Sequence, residues 1–257
     1  LCSLPLWKRY KLYIQKKITF LHYDPSYAQQ LMNPLCNNAG FFPNDIKQFV
    51  RFSEKVRLQD AAYCNCCCCC NWNKEDLMSP FFSKQIQFAA LSDMEPYDYE
   101  KPWSKALEGK KVLVVHPFAK TIEMQYARRK LLWKNKDVLP EFELKTIKAV
   151  QTIAGEKSDF NTWFDALHHM EQQMDATDYD IAIIGCGAYG FSLAAHAKRM
   201  GEKAIHLGGA TQILFGIKGK RWDGNPAVSK FYNEYWVRPL PEETPKQSGK
   251  VENGCYW

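Results

Sequence analysis

In the stretch DIAIIGCGAYGFSLAAHAKRMGEKAIHLGG, residues 180–209, an apolar run gives way to closely spaced glycines, then to a helical pattern, then to a second short apolar run. This reads as strand, turn, helix, strand. Gly185, Gly187 and Gly190 stand at the spacing G-x-G-x-x-G. In such a turn the first glycine permits a tight bend, the second lets the backbone approach a phosphate, and the third lets helix and strand pack closely. Amides at the start of the helix then point at the anion. The candidate cradle is therefore Gly185, Gly187, Ala188, Tyr189 and Gly190. Two readings of Tyr189 stand side by side, a ring stacked on a base or sugar and a ring packed in the core. A purely packing role for the glycines stays open too.

The same alternation extends outward. KKVLVVHPF (110–118) is a charge-flanked run of β-branched residues, as a buried parallel strand requires. IEMQYARRKLLW (122–133) has a helical pattern, EFELKTIKAVQTI (141–153) a strand pattern, and FNTWFDALHHMEQQMDA (160–176) a second helical one. Strands alternating with helices predict an α/β protein: a Rossmann-like, doubly wound, mostly parallel sheet with helices on both faces. The expected core runs over 109–222, with a tail over 223–257, inside one domain spanning 33–257. Upstream, NNAGFFPND (37–45) is a turn cluster in which Asn44 or Asp45 caps the helix IKQFVRFSEKVRLQ. The linker LSDMEPYDYEKPWSKALEG (91–109) carries Pro96 and Pro102, which argue against a long regular element.

Composition narrows the class. The chain has 257 residues, 46% of them hydrophobic, enough for a sizeable core. The net charge of +6 suits anionic ligands or an anionic membrane surface but is too small to argue for nucleic acid. No apolar run reaches the length of a transmembrane helix, and no secretory signal is read at the start. Residues 1–32 form a basic, aromatic segment, read either as membrane-resting or as an ordinary element with a solvated face. Of the ten cysteines, Cys64 and Cys66 to Cys70 form one run. Adjacent cysteines cannot all turn toward one metal, so the run is expected to be small apolar residues in a strand. The rest are scattered, which favours a reducing, cytoplasmic compartment.

Which phosphate the turn would hold is partly testable. A dinucleotide site wants an acid near the end of the second strand, about 20 residues on, for the ribose hydroxyls. KAIHLGG stands there, with His206 and no carboxylate. An NAD-type enzyme therefore loses ground. Downstream, LGGATQILFGIKGKRW (207–222) supplies Gly208, Gly209, Thr211 and Gln212, then Lys218, Lys220 and Arg221. Glycine-rich backbone and close cations suit a diphosphate leaving group; an exposed loop is the alternative.

KPWSKALEGKKVLVVHPFAKTIEMQY, VLPEFELKTIKAVQTIAG, the 180–222 block and VENGCYW also resemble bacterial proteins of capsular and surface-polysaccharide synthesis related to the GT-D type glycosyltransferases. The resemblance covers roughly residues 33–257. It implies a Rossmann-like GT-D domain, a nucleotide-sugar donor at the glycine turn and HLGG (His206, Gly208, Gly209), and a glycan or lipid-linked acceptor. It places the work at the inner face of the cytoplasmic membrane. The family's acidic Gly-Asp-Gly-Glu motif, which holds a divalent metal, has no counterpart in KKITFLHYDPSYAQQL (16–31).

Sugar transfer requires a neutralised diphosphate, a held sugar and a base for the acceptor. Lys220 and Arg221 are the expected cations. His116, where its strand ends, is a candidate base or phosphate contact, and Glu123 a candidate neighbour in the same cleft. Asp93 and Glu95, a D-x-E pair, are the candidate catalytic acids and ligands for Mg²⁺ or Mn²⁺. The leading expectation is a glycosyltransferase using a nucleotide sugar. The alternatives are a non-catalytic nucleotide-sugar or partner-binding protein, kept alive by the missing acidic motif, and an NAD-type enzyme.

Overall fold

The computed structural model describes residues 25–64, 66–69 and 81–257. The basic aromatic segment up to residue 23 lies outside these residues, as does Cys70. By contact the chain forms two compact units, 1–34 with 44–94, and 35–43 with 95–257.

In the first unit, helix α1 (Pro25–Ala39) begins, its residues 35–39 belonging to the second unit; α2 (Ile46–Lys55) follows. The Asp45 side chain caps α2 by accepting the Gln48 amide at 3.0 Å, the cap expected from the turn cluster. Strand β1 (Cys66–Cys69) pairs in parallel with β2 (Gln87–Ala90), so part of the cysteine run is indeed a strand.

The second unit holds the four-stranded, all-parallel sheet. Its strands are β3 (Lys111–His116), β4 (Glu143–Lys148), β5 (Ile181–Ile184) and β6 (Lys203–His206), in the order β4-β3-β5-β6. Every residue of β3 from Val112 to Val115 is fully buried, as its β-branched run requires of a central strand. Between strands run α3 (Ala119–Ala127), α4 (Arg129–Leu132), α5 (Trp163–Asp175) and α6 (Gly190–Arg199). Helix α5 starts with a capping box, Thr162 against Asp165. After β6 come the short helices α7 (Ala210–Leu214) and α8 (Lys220–Asp223).

The strand order places the site. The chain leaves β3 toward β4 on one side, then crosses back to β5 on the other side and continues outward to β6. Right-handed crossovers put α3 on one face of the sheet and α5 with α6 on the other, and α5 and α6 do pack together. The direction reverses between β3 and β5. Beyond the carboxyl ends of those two strands the departing loops splay apart, and open α/β sheets bind ligands in that gap.

Candidate functional site

A cleft of about 690 Å³, counted to its open mouth, occupies that gap. Its floor is the end of β3, His116 to Phe118, and the glycine turn, Gly185 to Gly187. One wall is Val150 to Ile153, which follows β4; another is His206, Gly208, Gly209 and Gln212; a third is Asn38 to Gly40 with Tyr256 and Trp257. All of these residues belong to the second unit.

The glycine turn extends the ladder by one bond, Gly185 N–H to the Val115 carbonyl at 3.0 Å, before the chain tightens into a single turn over Gly187–Tyr189 and enters α6. At the first turn of a helix the amides have no carbonyl behind them to receive their protons, and here those amides include Gly187 and Ala188. The glycines answer to close packing. A Cβ on Gly187, whose φ is +56°, would stand 2.5 Å from the Ala39 carbonyl oxygen. One on Gly185 would stand 2.6 Å from the Gly208 carbonyl and 2.8 Å from the His116 ring; one on Gly190 would overlap the His206 imidazole. The loop after β6 folds over the end of β5, where the Leu207 and Gly208 amides both donate to the Ile184 carbonyl at 3.0 and 3.2 Å. The turn thus lets three segments meet, and Gly187 keeps an exposed side.

His116 is buried, and burial pushes its imidazole down to about 3, so the ring is neutral at physiological pH. Nδ1 accepts the Phe118 amide at 3.0 Å, which leaves Nε2 as the protonated nitrogen. Toward a ligand the ring offers a hydrogen-bond donor. His206 is open to solvent in the cleft, yet protein encloses it on its other sides; that desolvation also moves its pKa downward. Gln212 is buried, and its Nε2 donates to the carbonyls of Lys218 (3.0 Å) and Tyr256 (2.7 Å). Those two bonds fix the amide's orientation, and Oε1 is left without a partner.

Other expected site residues go elsewhere. Tyr189 is buried, stacked on Trp163 with centroids 5.2 Å apart and planes 9° from parallel, so of its two readings the packed one describes the ring. Glu123 is exposed on α3, where it accepts the Thr146 hydroxyl of β4 rather than lining the cleft. Lys220 donates to the Asn253 carbonyl at 3.1 Å; Arg221 is ion-paired with Glu252 and lies 4.9 Å over the Tyr256 ring. These cations secure the 252–257 segment; neither lines the cleft.

The two acids of the D-x-E pair make separate contacts. Asp93, in the first unit, accepts the Ala90 amide at 3.0 Å. Glu95, in the second, is hydrogen-bonded by Tyr97 and raised in pKa by burial and then by the Asp98 charge. Among the described residues no group of three or more His, Cys, Asp or Glu side chains is placed to hold a metal ion.

The lining residues unforeseen in the sequence include Phe118, Gln151, Asn38, Tyr256 and Trp257. The first two follow strand ends directly, so the edge rule that picked out His116 applies to them equally. Nothing local marks Tyr256 and Trp257, which reach the cleft because the Lys220 and Arg221 amides bond the Trp257 and Cys255 carbonyls at 3.1 and 2.9 Å.

Comparison with protein families, with curated proteins and with solved structures finds no match.

Proposed function

We propose that this chain binds a nucleotide-activated sugar in the cleft between β3 and β5 and transfers the sugar to a glycan or lipid-linked acceptor in bacterial surface-polysaccharide synthesis. The observation that carries the reading is the open glycine turn at the switch point, where Gly185, Cys186 and Gly187 line the cleft at the positive end of the α6 dipole and no side chain caps the helix start. The neutral His116 supplies a further donor through Nε2, which suits it to a phosphate oxygen or sugar hydroxyl better than to the role of base. The proposed place of work is the inner face of the cytoplasmic membrane, approached from the aqueous side; no helix among the described residues is long and apolar enough to cross a membrane.

A second reading has one specific observation behind it. Among the described residues lining the cleft there is no Lys, Arg, Asp or Glu. A transferase must stabilise a departing diphosphate, and charged or metal groups ordinarily do this. A non-catalytic nucleotide-sugar-binding protein would have no such need.

Two measurements separate these. A ligand present at a hundredfold excess over Kd stabilises the fold by about 2.7 kcal/mol, so UDP or GDP should raise the Tm while NADH does not. Release of UDP or GDP from its sugar conjugate, followed with and without Mn²⁺, then distinguishes transfer from binding alone. Absence of a shift with any nucleoside diphosphate would remove both readings.

A further inference from the structure

The cleft's chemistry says which part of a ligand it can enclose. Apart from the Gly185–Gly187 turn, nothing in its described lining compensates a negative charge: it has no Lys or Arg, and the His116 ring is neutral. Burying an unpaired carboxylate costs several kcal/mol. What the lining does offer is aromatic surface and side-chain amides. Tyr256 and Trp257 are half-buried, with part of each ring open. They are fixed edge-to-face with centroids 5.9 Å apart, and Trp257 meets Phe118 in the same way at 6.1 Å. The Trp257 Nε1–H is held by the Glu243 carbonyl at 3.4 Å, so the ring is anchored by its polar edge.

The amides come from three different segments: Gln151 from the loop after β4, Gln212 from α7, and Asn38 from α1, whose Nδ2 already donates to Glu252 at 3.4 Å and whose Oδ1 accepts from Asn37. Hydroxyls radiating around a pyranose match groups spread over three walls; a uracil presents its polar atoms along one side of its ring. The unpartnered Gln212 Oε1 adds a buried acceptor on one of these walls. The segment that carries the aromatic pair is held in an unusual backbone, with Glu252, Asn253 and Gly254 in succession at φ of 45°, 58° and 80°. Such conformations persist only where surrounding structure imposes them; here the Arg221–Glu252 pair and the bond from Lys220 to the Asn253 carbonyl do so.

We infer that this cleft takes an uncharged hexose, packed against Tyr256 and Trp257, and discriminates against sugars that carry a carboxylate. The inference rests on the reading of the cleft as a donor-sugar site.

Saturation-transfer NMR with methyl β-glucoside, methyl β-glucuronide and uridine tests it directly. The expected result is binding of the glucoside with the glucuronide at least about tenfold weaker, equivalent to about 1.4 kcal/mol. Trp257→Ala should weaken the glucoside several-fold. Gln151→Lys, at a half-exposed position that tolerates the change, should bring the glucuronide close to the glucoside. Equal binding of both sugars, binding of uridine alone, or no sugar binding overturns the inference, as does a Gln151→Lys protein that still rejects the glucuronide. UDP and GDP titrated into the same sample report on the donor reading separately. Glucoside binding with no nucleotide binding defeats that reading alone; nucleotide binding without sugar selectivity defeats only this inference.

Discussion

Two helices start at the carboxyl edge of the sheet, α3 after β3 and α6 after β5, and they meet the same electrostatic demand in opposite ways. Both present unpaired amides and a positive dipole end. At α3 the chain supplies its own anion. Glu243, more than a hundred residues away, accepts the Lys120 and Thr121 amides at 2.8 and 3.2 Å and also the Thr121 hydroxyl, and it is buried there. At α6 no side chain caps the start, and the turn opens into the cleft. One helix start is closed as structure. The other stays open to the cleft.

That contrast breaks first at Glu243. Glu243→Ala should orphan two amides and a hydroxyl in the interior and cost about 3 kcal/mol or more in urea denaturation, whereas Glu243→Gln, which keeps an acceptor, should cost markedly less. A small loss for the alanine variant would mean that α3 does not depend on its internal anion. At α6 the matching change is steric. Gly190→Ala drives a methyl into the His206 ring and should cost about 1–3 kcal/mol. His206→Ala in the same protein should recover most of it, and a double-mutant cycle without coupling would show that the contact is not what fixes glycine there.

The third test uses pH. The folded pKa of His116 lies below its unfolded value, so the unfolded chain binds the extra proton. Its contribution to stability is fully present above about pH 6.5 and is lost as pH falls toward 3. Compared with His116→Asn, which retains an acceptor for the Phe118 amide, the native protein should lose about 1 kcal/mol more near pH 5.5. Parallel pH profiles for the two proteins would contradict a buried neutral ring. The smallest effect concerns Lys220 and Arg221: Arg221→Gln should change stability by less than about 1 kcal/mol and leave the affinity for inorganic pyrophosphate unchanged by calorimetry.

The sheet was legible because its signals are local: the valine run of β3, the helical pattern over 160–176, and glycines bounded by apolar and helical patterns each predict an element within a few residues of where it lies. The site was legible at its floor, His116 and the glycine turn, since position at a strand's carboxyl end is itself a local property. Of its walls, the one after β6 was legible, with His206, Gly208, Gly209 and Gln212; the others were not. Trp257 reaches the cleft through contacts across tens of residues, and Lys220 and Arg221, which look like ligand cations in sequence, are engaged by carbonyls and by Glu252. A single residue type can serve anion binding or chain anchoring, and only the partner distinguishes them.

The most direct test of the open-versus-closed contrast is ¹⁵N amide NMR of the whole chain, titrated with UDP and, separately, with inorganic pyrophosphate. The Gly187 and Ala188 resonances should move in a saturable way while those of Lys120 and Thr121, shielded by Glu243, stay in place. Shifts at Lys120 and Thr121 with none at Gly187 and Ala188, or no shift at either pair, would contradict the account.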